Sequence, residues 1–274
     1  MKIIPKISTN DYENLDIIEG FMKNYDSVEI QIMDEDWESE FLKTLVIINE
    51  FQNLEYVVLH LPFKSCNLAY VLSNPEEKQK FKELIVSCVD ISENAGIKMD
   101  VLTHIVSTPY EYRNLKIDTF LRWADEQIGD SGTNILIENS IINLHSCQDG
   151  DIIEEIFKDE YKNICFCLDI CHLQASENIM KRDISISENL NKNLKNVHFS
   201  CTKNNDGYID KKNTHGVVHE SIKDVVNDIE YLRNKRIDLD NINFVAEISE
   251  NDYKYRPNLL KELELLQIAI KDFI

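Results

Sequence analysis

Proline and glycine are scarce, 5 and 7 among 274 residues. That excludes collagen-like and low-complexity chains. No stretch approaches 18 consecutive apolar residues, the length a membrane-spanning helix needs. The opening MKIIPKISTNDY has no uninterrupted apolar core of the kind a secretory signal carries. The seven cysteines, at 66, 88, 147, 165, 167, 171 and 201, are odd in number and lack the dense spacing of a small disulfide scaffold. Positive charge is also short, with 29 Lys+Arg against 49 Asp+Glu and a net charge of −20. Such a chain has no global field to draw nucleic acid or an anionic membrane. These absences point to a cytoplasmic protein in a reducing compartment, without a membrane partner.

What is present is a core: 43% of the residues are hydrophobic. Short apolar runs alternate with amphipathic stretches along the whole chain. Eight runs read as strands: 3–8, 28–34, 56–63, 98–106, 134–140, 163–170, 196–201 and 243–249. Helical spacing of apolar residues marks Trp37 to Phe51, Pro75 to Ala95, Tyr110 to Ile128, Ser221 to Arg233 and Pro257 to Phe273. Pro75 and Pro257 fall at helix starts, and Gly96 at a helix stop. Strand ends recur with a mean step of about 34 residues, one strand-plus-helix unit. Eight units without a linker predict an α/β fold, a (β/α)8 TIM barrel forming a single domain over 1–274. An open doubly wound sheet is the alternative, but no glycine-rich phosphate loop follows the first strand.

In such a barrel the chemistry sits at the C-terminal strand ends. Those ends carry His60, His104, Glu138, Asp169 with His172 three residues on, His198 and Glu247. His215 follows in the loop after the seventh strand, while His145 and His219 fall on connections expected to be polar. Alternation puts Asp169 on one face with Cys165 and Cys167, and Glu138 with Leu136 and Asn134. The two cysteines read as small barrel-facing packers rather than a thiolate site. Asp34, Glu35, Asp36 and Glu38 read as a solvated helix start. Carboxylates clustered at one mouth repel, and a divalent cation removes that cost. Mixed histidine and carboxylate donors suit Zn²⁺ or Mn²⁺.

At these residues the sequence resembles the xylose-isomerase-like TIM-barrel superfamily, and within it the endonuclease IV type (AP endonuclease family 2). Asn163-Ile-Cys-Phe-Cys-Leu-Asp169-Ile-Cys-His172 is similar to the family's Asp-x-Cys-His signature. His60-Leu-Pro-Phe63 looks like its His-x-Pro-Tyr, Ile137-Glu138-Asn139-Ser140 contains its Glu-Asn-Thr element with Ser for Thr, and Val245-Ala-Glu247 falls at its last glutamate. His198-Phe-Ser-Cys-Thr-Lys203 is similar to its His-Leu-Asn-Asp-Ser-Lys.

The resemblance implies more than one ion per chain. Glu138 would bridge two ions. His60 and His104 would complete the first, and Asp169, His198 and Glu247 the second. His172 and His215 would hold a third, where Asn213-Thr214-His215 stands for the family's Asp-Arg-His and removes a carboxylate. Phe63 and Lys203 would face substrate, with Phe63 replacing an aromatic hydroxyl. These departures point away from damaged duplex DNA.

Two activities are implied. One is a phosphoester hydrolase, with Glu138 orienting a metal-activated water. The alternative is a one-ion sugar or sugar-phosphate isomerase or epimerase, with Glu138 and Glu247 moving the proton. The epimerase branch places an Arg shortly after the seventh-strand His, and residues 199–210 contain none. The expected partner is a small phosphorylated or sugar-like substrate.

The acidic balance predicts no nanomolar binding to undamaged duplex DNA at physiological salt, because few cations are available to release counterions. A fluorescence-anisotropy titration checks this, and nanomolar affinity would reveal a local basic face that outweighs the global charge.

Overall fold

The computed structural model describes residues 2–14, 22–33, 37–51, 53–63, 65–105, 114–140, 149–158, 160–201, 218–248 and 256–273. Eight parallel strands close into a barrel in sequence order. They are β1 (Ile3–Ser8), β2 (Ser27–Gln31), β3 (Tyr56–His60), β4 (Lys98–His104), β5 (Ile135–Glu138), β6 (Ile164–Asp169), β7 (Leu194–Phe199) and β8 (Asn243–Ala246). Pairing of Ile4 with Val245 and of Pro5 with Ala246 closes the ring between β1 and β8. The expected (β/α)8 barrel is therefore observed.

Helices follow the strands on the outside. Among the described residues they are α1 (Trp37–Glu50), α2 (Leu68–Ser73), α3 (Pro75–Ala95), α4 (Ile117–Ile128), α5 (Asp149–Ile156), α6 (Ile170–Met180), α7 (Glu188–Asn193), α8 (Ile222–Asn234) and α9 (Pro257–Phe273). The ends of α3 show why the local sequence stops where it does. Asn74 caps it by accepting from Glu76 N, Pro75 supplies the first turn, and Gly96 closes it at φ 70°. A non-glycine residue is strained at that φ.

Alternation along each strand separates two cores. Val57, Leu59, Ile135, Ile137, Phe166 and Leu168 face the helices. Ile4, Val58, Leu102, Leu136, Cys167 and Val245 fill the barrel interior. The barrel-facing placement of Cys167, with Cys165 packed against the same cluster, follows the alternation. At the strand starts the interior turns polar. There the buried Asp100 accepts from Tyr56 Oη at 2.6 Å, Lys195 Nζ at 2.6 Å and Asn134 N at 2.8 Å.

All eight strands coincide with the expected runs; the first matches to the residue and the other seven runs overreach at the C-terminal end, as where 28–34 is observed as Ser27–Gln31. The sequence reading missed α2, α5, α6 and α7. No turn separates α6 from its strand, because Asp169 ends β6 and also caps the helix by accepting from His172 N at 2.6 Å. No helix among the described residues is long and apolar enough to cross a membrane. The six described cysteines are free thiols.

His219 corrects an expectation. It lies on the connection ahead of α8, as expected, but is fully buried rather than on a polar surface. Its Nδ1 meets Glu262 Oε1 at 2.5 Å, its Nε2 meets Asp228 Oδ2 at 3.0 Å, and its ring stacks on Phe199 at 5.2 Å. The sequence hid this because Asp228 and Glu262 lie 9 and 43 residues away. The trio ties α8 and α9 to the outside of β7. Burial opposes charging the ring, but hydrogen bonds to Asp228 and Glu262 overcome it and raise the pKa to about 9 from 6.5. A group raised on folding stabilises fully below its unfolded pKa and loses that contribution as pH rises through the folded one. Urea-denaturation midpoints are thus expected to fall between pH 6.5 and about 9, and His219→Gln is expected to flatten that segment. An unchanged slope in the variant would show that the trio is not ionic.

Candidate functional site

The C-terminal mouth of the barrel gathers nearly all the expected residues. His60, His104, Glu138, Asp169 and His198 are the last or next-to-last residues of β3 to β7, and Glu247 directly follows β8. All are at least nine-tenths buried. Parallel register aligns them: His104 pairs with Glu138 and Asp169 with His198.

Among the described residues three convergent donor groups share Glu138, one of them with Cys167 and His198. The two built wholly from the expected residues are Glu138, Asp169, His198 and Glu247, and His60, His104 and Glu138. In each, the donor atoms lie within 4.8 Å of one another. Around Glu138, His104 Nε2 lies at 3.3 Å, His198 Nδ1 at 3.4 Å and His60 Nε2 at 3.8 Å from Oε2. His198 Nδ1 is also 2.6 Å from Glu247 Oε2. Neither Glu138 oxygen receives a well-formed hydrogen bond, and neither does His198 Nδ1. Donor atoms converging on a common point without shared protons fit a divalent cation. The residues present therefore fit the implied ion.

Supporting contacts fix these donors, as outer partners of metal ligands do. His198 Nε2 sits 3.0 Å from Glu29 Oε2, which turns Nδ1 toward Glu138 and Glu247. Asn139 accepts from Asp169 N at 2.7 Å and donates to Asp169 O at 3.1 Å, pinning the end of β6. His172 meets the carbonyl of Asn139 through Nδ1 at 2.7 Å and lies 3.4 Å from Glu138 Oε1.

Electrostatics set the protonation of the cluster. Burial pushes the Glu138 carboxyl up, but the imidazoles of His104 and His198 pull it well below the usual range. Burial likewise opposes ionised Glu29, and His198 and Lys6 outweigh it, so its pKa lies below the ordinary value. Burial and the Lys6 charge lower His60 to about 4. His172 is raised to about 9, because Asp169 and Glu138 outweigh its burial.

Two buried charged residues of this mouth went unread in the sequence, Lys6 of β1 and Glu29 of β2. Lys6 Nζ lies 2.8 Å from His60 Nδ1 and 3.2 Å from Glu29 Oε1, and donates to Glu247 Oε1. Burial opposes its charge, but Glu247 and Glu29 raise its pKa above the ordinary lysine value. The period-two rule that placed Asp169 beside Cys167 also puts Lys6 on one face with Ile4, and Glu29 opposite Val28 and Ile30. That signal was available.

Of the remaining expected residues, Phe63 stands at the rim, 47% exposed, with its edge 5.0 Å from the His104 ring. His172 belongs to neither convergent group. His215, Asn213 and Lys203, and with them the proposed third ion, lie outside the described residues, as do His145 and Asp34 to Asp36.

The fold is shared with known barrels. Over nearly its whole length the chain matches a 3-keto-D-glucoside 4-epimerase from E. coli, at 15% identity, TM-score 0.59 and 99% coverage of both chains. It also matches a D-allulose 3-epimerase from Methylomonas sp., at 15% identity, TM-score 0.58 and coverage of 99% of this chain and 96% of that one. A Thermus thermophilus protein soaked with ZnCl2 aligns at 16% identity and TM-score 0.62 over 100% of both chains. At these identities the likeness is one of fold. No curated protein matches the sequence. Residues 16–267 match the family model described as xylose isomerase-like TIM barrel, one level broader than the endonuclease IV likeness, and the chain belongs to that family.

Proposed function

We propose that this protein is a sugar isomerase or epimerase working with one divalent ion held by Glu138, Asp169, His198 and Glu247. The observation that carries this reading is that four-residue group, in which Glu138 of β5 and Glu247, just after β8, bring carboxylate oxygens within 4.8 Å of one another beside Asp169 and His198. Two of the structural relatives are themselves sugar epimerases, which favours this reading over the phosphoester hydrolase that the motifs first suggested. The second group, His60, His104 and Glu138, is the one observation that favours the hydrolase, because a paired-ion site needs it.

The bound ion would polarise a substrate carbonyl and the oxygen beside it. One of Glu138 and Glu247 would take a proton from one face of the carbon beside the carbonyl, and the other would deliver a proton to the opposite face for epimerisation, or to the neighbouring carbon for isomerisation. The Glu138 carboxyl, held well below the usual range by His104 and His198, is in the ionised form that a base must have before it takes a proton. Phe63 would cover the apolar face of a sugar ring, as an exposed aromatic at a pocket rim can.

Incubating the Mn²⁺-loaded protein with a panel of ketoses and keto-sugars in D2O tests the activity. Deuterium is expected at the carbon beside the carbonyl, and bis-nitrophenyl phosphate is expected to stay intact. Glu138→Gln or Glu247→Gln should lower exchange by roughly 10²–10⁴-fold, the usual contribution of a positioned acid or base. Metal-dependent phosphodiester cleavage without C–H exchange would instead establish the hydrolase.

Metal counting gives a second test. Glu138→Ala is expected to abolish tight Mn²⁺ uptake, because both donor groups use that carboxylate. His60→Ala is expected to leave one ion in place and only weaken exchange. A chain that loses its ion with His60→Ala and keeps it with Glu138→Ala would overturn the assignment.

A further inference from the structure

We propose that Cys167 gives this mouth a second, deeper position for a divalent ion, one that takes thiophilic metals such as Zn²⁺ or Cd²⁺ on the Cys167 sulfur, Glu138 and His198. Hard ions such as Mn²⁺ stay in the upper group of Glu138, Asp169, His198 and Glu247. This rests on the ion site proposed above and adds the feature that sorts one metal from another.

The register of the barrel brings the sulfur there. Cys167 pairs with Glu138 across β5 and β6, and with Asn196, two residues before His198, across β6 and β7. One Glu138 oxygen, the Cys167 sulfur and one ring nitrogen of His198 lie within 4.8 Å of one another. All three residues are fully buried. Cys167 packs in the barrel interior, as its place in the strand predicts, but its sulfur also meets these donors. Of the described cysteines it alone joins a convergent donor group. Cys171 turns instead to Ser200 Oγ at 2.9 Å, and Cys165 to Asn134 Oδ1 at 3.6 Å. A second observation is independent of the cysteine. Neither buried oxygen of Glu138 receives a well-formed hydrogen bond, so the carboxylate faces this point with its acceptor capacity unspent.

The two groups differ in softness. The upper one offers three carboxylates and one imidazole, and carboxylate donors suit Mn²⁺ or Mg²⁺. The deeper one replaces Asp169 and Glu247 with a sulfur, which selects softer ions. Three protein donors with an open fourth position is also an arrangement that zinc adopts. Binding there exchanges the S–H bond for a metal–sulfur bond, and the thiol proton leaves to solvent. A hard ion gains too little from sulfur to drive that exchange, whereas Zn²⁺ and Cd²⁺ gain enough. Cys167 lies two residues before Asp169 along β6, further from the open end. Glu138 and His198 serve both groups, so an ion on Cys167 competes with one on Asp169 and Glu247. A thiophilic ion is thereby drawn below the carboxylates assigned to the reaction.

X-ray absorption at the zinc edge, on the full chain loaded with a single equivalent of Zn²⁺, reads sulfur ligation directly. A sulfur shell at about 2.3 Å is expected beside nitrogen and oxygen at about 2.0–2.1 Å. Mn²⁺-loaded protein is expected to show nitrogen and oxygen only. Cys167→Ser is expected to remove the sulfur shell, while Cys165→Ser and Cys171→Ser keep it. In competition with a chromophoric chelator, Cys167→Ser should weaken Zn²⁺ binding at least as much as loss of an outer-shell partner does, roughly 10–100-fold. Its Mn²⁺ affinity is expected to stay at the wild-type value. Absence of sulfur from the wild-type zinc shell, its persistence in Cys167→Ser, or equal losses of Zn²⁺ and Mn²⁺ affinity would each overturn the proposal. Should Cys167→Ser fail to fold, the wild-type spectrum with the Cys165→Ser and Cys171→Ser controls decides alone. Sulfur-ligated Zn²⁺ in a protein that shows no C–H exchange with Mn²⁺ would defeat the isomerase reading and leave this one standing.

Discussion

Four carboxylates, Glu29, Glu138, Asp169 and Glu247, are buried together at one end of a closed barrel, and the mouth is organised by what neutralises them. Charges taken out of water cost several kcal/mol each unless they are paired. The barrel supplies part of the compensation itself. Lys6 reaches two of the four, and the imidazoles of His198, His104 and His172 stand against Glu29, Glu138 and Asp169. What is left over is concentrated at Glu138, whose oxygens accept no well-formed hydrogen bond. A buried, ionised and under-satisfied carboxylate is costly unless something binds it. The geometry that makes these buried charges costly thus makes the mouth receptive to a cation.

Rigidity comes from the same elements. Each donor is on a strand end or one residue beyond, where backbone pairing on both sides fixes it. A second ring of contacts, Asn139 on Asp169 and Glu29 on His198, removes the remaining side-chain freedom. Outside the barrel, His219 bonds to both α8 and α9 and stacks on Phe199, the residue after His198. The seventh strand end is therefore held from within and from without. Preorganisation of this kind lowers the cost of gathering ligands around an ion.

How far the sequence spoke depends on whether a residue's neighbours are local or distant. Strand positions were legible because a buried parallel strand is a near-continuous apolar run, and His60, His104, Glu138, Asp169, His198 and Glu247 stood out as polar residues ending such runs. Helices α2 and α6 were not, because one is only six residues long and the other starts on the residue directly after its strand. The roles of the histidines were legible only in part. His219, which the sequence left on a polar connection, is held by partners from two separate helices, and that pairing has no local signature.

Lys6 and Glu29 illustrate the remaining gap. The first two strands carry no signal at their ends, since neither finishes in histidine or carboxylate: β1 ends in Ser8 and β2 in Gln31. Both charged residues sit two positions earlier, on the inward face. A lysine stem spans several ångströms, so a residue low in the barrel can deliver its ammonium to the level of His60. Reading only strand ends assumes that a side chain acts at the height of its own Cα. Short residues such as Asp169 obey that assumption, and long ones do not. In a closed barrel every inward polar residue, whatever its height, has to find its partner inside, so a lone lysine on an inward face predicts a carboxylate on a neighbouring strand. Glu29, its register partner across β1 and β2, is that carboxylate.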